Sequence, residues 1–82
     1  METTRAMQLV DQIRPILAGE DPAVQGAALA DLLAMFLAGH VVVGSPEESE
    51  SIREAYLAMH IEMVRKLIPL NYKAVIEPQL KG

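Results

Sequence analysis

Residues 21–40 read DPAVQGAALADLLAMFLAGH, and the fold turns on how this stretch is read. Asp21 can cap a helix with its carboxylate, and Pro22 suits the first helical position, where no amide donor is needed. From residue 23 to residue 38 the only polar side chains are Gln25 and Asp31, and Gly39 then supplies a stop. Leu29, Leu32, Leu33, Phe36 and Leu37 recur at helical spacing as a bulky face. Gly26, Ala30, Ala34 and Ala38 recur every fourth residue, a strip of small side chains that lets another helix approach closely. Asp31, beside Val24, Ala28 and Met35, marks the one solvent window. A helix apolar nearly all round has to be enclosed by other protein, and an 82-residue chain has little to enclose it with. The sequence therefore speaks to assembly more than to chemistry.

Toward the N-terminus, Ala6, Leu9, Val10, Ile13, Ile16 and Leu17 form one stripe at three- and four-residue steps, predicting a helix over about 4–18 with Thr3 or Thr4 as its cap. Pro15 removes a donor and crowds the Asp11 carbonyl, so a kink or a break is expected there.

Toward the C-terminus, residues 39–44, GHVVVG, read as a loop whose valines can lie extended. Ser45, Pro46, Glu47 and Glu48 then spell a helix start. The Ser45 hydroxyl can accept from the Glu48 amide while the Glu48 carboxylate reaches back to the Ser45 amide, and Pro46 fits the first turn. The third helix is expected over about 46–68, ended or kinked by Pro69. It carries two apolar stripes: Ile52, Ala55, Tyr56, Met59, Met63 and Leu67, and, rotated from these, Leu57, Ile61, Val64 and Ile68. One is expected to pack inward and the other against a second copy. Glu62 and Lys66 make a favourable i,i+4 pair. Beyond Pro69 the tail is apolar enough to dock, as a short helix from Asn71 or as an extended segment.

Composition sets the class. The chain is 51% hydrophobic and 22% charged, above the disorder boundary and apolar for so small a domain. Without cysteine it has neither disulfides nor thiolate metal sites, which leaves oligomerisation as the staple a short chain needs and suits a reducing cytoplasm. A net charge of −4 argues against nucleic acid and anionic membranes as partners. The charged N-terminus does not resemble a signal peptide. The apolar run over 23–38 is shorter than the roughly 20 residues of a spanning helix, and Asp31 would cost about 2.5–3.5 kcal/mol at mid-bilayer.

His40 and His60 are the two candidates for a metal or acid–base site, with Asp31 or Glu62 able to complete it through dimer symmetry. The simpler reading is that His40 satisfies a helix-end carbonyl and that His60 is a partly buried ring bonded to backbone or carboxylate. Met59 and Met63 read as core fillers. No phosphate-binding glycine loop, nucleophile elbow or zinc-protease helix is present, so no catalytic residue, metal or cofactor is assigned. The reading is a single all-α domain over 1–82, three helices and a short C-terminal element packed as a dimeric helical bundle. Its expected role is that of a small cytoplasmic interaction or scaffold protein, without catalysis, that forms a homodimer through Leu57, Ile61, Val64 and Ile68 and binds a partner protein. The alternative is a small-molecule or metal-binding helical protein, or an accessory enzyme subunit, with its site near His40 and His60.

Overall fold

The computed structural model describes residues 2–81. The described chain is helical apart from two connections and contains no strand. Helix α1 runs Glu2–Leu17, α2 Pro22–Ala38 and α3 Pro46–Asn71; a π-helical turn over Tyr72–Ile76 leads directly into a last helix, α4, Glu77–Lys81. The chain divides into two compact units, with the division between Ala34 and Met35, inside α2.

In the first unit α1 already begins at Glu2, so Thr4 lies in its first turn and is not a cap; the Thr3 side chain lies outside the described residues. Pro15 does not break α1, because only one backbone bond is lost and the next turn closes normally, with the Ala18 amide on the Arg14 carbonyl at 3.0 Å. The Leu17 carbonyl at the end of α1 accepts from both the Glu20 amide at 3.0 Å and the Gln25 side chain at 2.7 Å. One of the two polar groups in the apolar stretch thus ties α2 to the end of α1, adding a second donor to a helix-terminal carbonyl.

In the second unit the end of α2, a loop and the first half of α3 are laced together. The loop closes in a turn from Val42 to Ser45, with the Ser45 amide on the Val42 carbonyl at 3.1 Å. Gly44 sits at its third position with φ +82°, the conformation a type II turn requires there and one that costs a side-chain-bearing residue. Val41 and Val43 point outward, and no extended pairing forms. Ser45 then caps α3: its hydroxyl accepts from the Glu48 amide at 3.4 Å. The reciprocal half of the capping box is not made, since the Ser45 amide is already used by the turn.

Pro69 neither ends nor separates α3. The Tyr72 amide bonds to both the Ile68 and Pro69 carbonyls, so the helical ladder continues past the missing donor. The register then widens, with the Glu77 amide reaching Tyr72 five residues back. A second proline, Pro78, explains where this happens. Its ring would crowd the Ala74 carbonyl in an α-helix, and Ala74 lies inside the π turn. The tail is accordingly a continuation of the same rod. Its one ion pair among the described residues is Glu77–Lys81 at 2.9 Å, and the expected Glu62–Lys66 pair is not formed.

Candidate functional site

The residues that hold the start of α3 lie on one face. Ser45, Ser49, Arg53, Tyr56 and His60 follow three- and four-residue steps, which stack them above one another along a helix. This arc overlaps the edge of the first apolar stripe, to which Tyr56 also belongs, and extends toward the second. Ser49 is 2% exposed, and its hydroxyl accepts from the Val42 amide at 2.8 Å. Its own proton has two carbonyls in reach, Ser45 at 3.0 Å and Val42 at 3.3 Å. A hydroxyl so committed is a structural clamp and not a nucleophile. Arg53 donates from Nε to the His40 carbonyl at 3.2 Å. Two side chains of α3 therefore satisfy the backbone of the loop that leads into it.

Above the clamp stands a ring cluster. Phe36, at the end of α2, meets the His40 ring edge-on at 4.8 Å and the His60 ring at 5.4 Å, and His40 meets Tyr56 at 4.6 Å. Such edge-to-face pairs contribute about 0.5–1.5 kcal/mol each beyond their burial. The His40 Nδ1 lies 2.9 Å from the Phe36 carbonyl and 3.3 Å from that of Leu37, and the His60 Nδ1 lies 2.6 Å from the Tyr56 carbonyl. A backbone carbonyl only accepts, so both Nδ1 atoms carry hydrogen. In the neutral rings Nε2 is then the atom with the lone pair. The sequence reading placed His40 on a helix-end carbonyl, and that is where it is found. His60 is half-buried and bonded to backbone.

The two histidines therefore converge on one phenylalanine. Among the described residues no group of three or more His, Asp or Glu side chains is arranged to hold a metal ion. Asp31 and Glu62, the expected completing ligands, are both exposed. No carboxylate orients either imidazole, since backbone carbonyls occupy both Nδ1 atoms. The sequence reading missed Ser49 and Arg53, although the four-residue spacing of Ser45, Ser49 and Arg53 was available as a signal.

The residues assigned to an interface lie elsewhere on the same helix. Leu57 is half-buried, whereas Ile61, Val64 and Ile68 are 45%, 49% and 61% exposed. The other stripe is no better covered: Met59, Met63 and Leu67 are exposed too, so the expectation that one stripe packs inward within the chain is not met. The reason is that the contact reaches only the start of α3: Ile52 of the first stripe is half-buried there and Tyr56 meets the His40 ring, whereas the stripe's later members lie beyond it. Every residue from 61 to 74 is exposed. The buried apolar residue of the described chain is Leu37, at 9% exposure.

None of the family models, curated proteins or solved structures compared with this chain matches it. No helix among the described residues is long and apolar enough to cross a membrane.

Proposed function

We propose that this protein is a small, non-catalytic helical interaction protein of the cytoplasm that associates with itself as a helical bundle and presents apolar surface to a partner protein. One observation carries this reading: Ile61, Val64 and Ile68 stand exposed on a regular helix whose polar side is already used. Monomeric proteins scatter single apolar residues over their surface, but a contiguous run of them marks a contact. A chain with one buried apolar side chain among its described residues also lacks the core that stabilises domains of this size, and self-association supplies it. The absence of cysteine fits a reducing compartment.

Sedimentation equilibrium at micromolar concentration tests the proposal. The expected species has twice the 9.0 kDa mass of the chain. A compact 9.0 kDa monomer that binds no other chain removes the reading.

The second reading, a metal or small-molecule site near His40 and His60, has one observation in its favour. Both rings are oriented by Nδ1 on backbone carbonyls, as metal-ligating histidines are, and both keep Nε2 as the lone-pair nitrogen. Metal analysis of the purified protein decides it: stoichiometric metal that is lost in His60→Ala supports this reading, and metal-free protein removes it.

A further inference from the structure

An interface confined to Leu57, Ile61, Val64 and Ile68 is too small. The three exposed members offer roughly 300 Å² per copy, or about 600 Å² for two, below the ≈ 1,000 Å² that a specific contact clears. The rod that carries them continues, however, from Pro46 through α3, the π turn and α4 to Lys81. Its geometry beyond Ile68 is informative.

Four residues of α-helix turn about 40° past a full circle, so side chains spaced four apart slide round the rod. Val64, Ile68 and Tyr72 are such a series. One more α turn would carry Ile76 about 120° away from Val64. The π turn over Tyr72–Ile76 holds more residues per turn, so its four-residue step falls short of a circle and swings Ile76 back. The outcome is a single groove of about 440 Å³ lined by Val64, Leu67, Ile68, Asn71, Tyr72 and Ile76. With Leu67, Tyr72 and Ile76 added, the face reaches roughly 1,200 Å² for two copies, enough for a specific interface.

Charge along the rod then selects the occupant and its direction. Residues 46–62 carry five acidic side chains and one basic: Glu47, Glu48, Glu50, Glu54 and Glu62 against Arg53. Residues 63–81 carry four basic and one acidic: Arg65, Lys66, Lys73 and Lys81 against Glu77. Two rods laid parallel would set like charges side by side. Laid antiparallel about a centre near Leu67, they bring Glu54 within two residues of Lys81 of the second copy and Glu62 within two residues of its Lys73, while Glu47, Glu48 and Glu50 lie beyond its end. Such complementarity fixes orientation. We infer that, in the self-association proposed above on which this rests, two copies pair antiparallel along residues 57–76, with the π turn keeping the apolar face in register over that length. Leu57 then lies opposite Ile76 of the second copy and Ile61 opposite Tyr72, Val64 falls beside Ile68, and the two-fold axis passes next to Leu67.

The chain contains no cysteine, so introduced cysteines report the pairing without background. Full-length Leu57→Cys and Ile76→Cys are mixed and oxidised, and Leu67→Cys is oxidised alone. Antiparallel pairing gives the mixed 57–76 disulfide in at least tenfold excess over either homodisulfide, and self-crosslinking at 67. Homodisulfides at 57 and at 76 mean a parallel pair and overturn the orientation while leaving self-association standing. A dimer by sedimentation that crosslinks at none of these positions overturns the choice of face. A monomer by sedimentation overturns the self-association reading itself. Should Leu57→Cys or Ile76→Cys lose helicity by circular dichroism, the exposed pair Glu54→Cys and Leu80→Cys, about one turn further out on either side of the axis, makes the same distinction.

Discussion

The first half of α3 and its second half are held by different means. Through Ser49, Arg53, Tyr56 and His60 the first half satisfies backbone and stacks rings from its own chain. From residue 61 to residue 74 every side chain is exposed, although Ile61, Met63, Val64, Leu67, Ile68, Leu70 and Tyr72 are all large and apolar. One helix thus carries a polar face that is used and an apolar face that is not, the reverse of an ordinary surface helix. Polar groups bonded to backbone set the position of α3 within one copy, and the apolar faces remain for contacts with another chain.

The largest effect expected from breaking this contrast lies in the exposed half. Val64→Asp with Ile68→Asp places two carboxylates on the proposed contact, where an ionised group loses water without gaining a partner. Self-association should weaken on the order of 100-fold or more, since truncating a central apolar contact alone costs about 2 kcal/mol or more and each 1.4 kcal/mol is tenfold. Sedimentation equilibrium measures this. Amide exchange adds the sharper half of the test: protection over residues 61–81 should fall, because most helical stability in proteins comes from packing of one face rather than from propensity. The Val42 amide, clamped by Ser49, should keep its protection. Loss of both together would mean that the two halves are not independent.

How much of this was legible in the residues follows from what each feature depends on. The helix starts were readable because a cap and a first-turn proline are local: Asp21 with Pro22 and Ser45 with Pro46 stand where α2 and α3 begin. The passage through Pro69 was not readable. A proline says that one donor is missing, but not that the Tyr72 amide will serve two carbonyls and that a π turn will relieve the crowding by Pro78. The histidines were half legible. A helix-end carbonyl for His40 follows from its place after Gly39, whereas the meeting of both rings on Phe36 depends on how the end of α2 lies against α3. The clamp was hidden for another reason. Ser49 and Arg53 bond to loop backbone, and hydrophobic periodicity says nothing about where loop carbonyls point.

Within the clamped half, Ser49→Ala should have the next largest effect. The methyl fits the space but leaves the half-buried Val42 amide without its acceptor, and since a fully buried unsatisfied donor costs about 1–3 kcal/mol, a loss of about 1 kcal/mol is expected here. Thermal unfolding should show the loss, and exchange at Val42 should speed up by the corresponding factor. Self-association measured under native conditions should change by less than threefold, because Ser49 lies on the other arc of the helix from Val64 and Ile68. A large loss of association with little loss of stability would show that the clamp also shapes the contact face.

The smallest difference to be measured belongs to the turn that feeds the clamp. Gly44 has φ +82°, and a Cβ built there meets nothing within 4 Å, so Gly44→Ala tests backbone strain alone. A side-chain-bearing residue in this left-handed region costs about 1–2 kcal/mol. Asparagine tolerates the region better because its short amide can bond locally, so Gly44→Asn should recover part of the loss. Unfolding curves of the two variants under identical conditions measure the difference. Equal destabilisation by alanine and asparagine would mean that the turn relaxes out of the positive-φ conformation. In that case the Ser45 amide would leave the Val42 carbonyl and become available to the Glu48 carboxylate, completing the capping box that the turn now prevents.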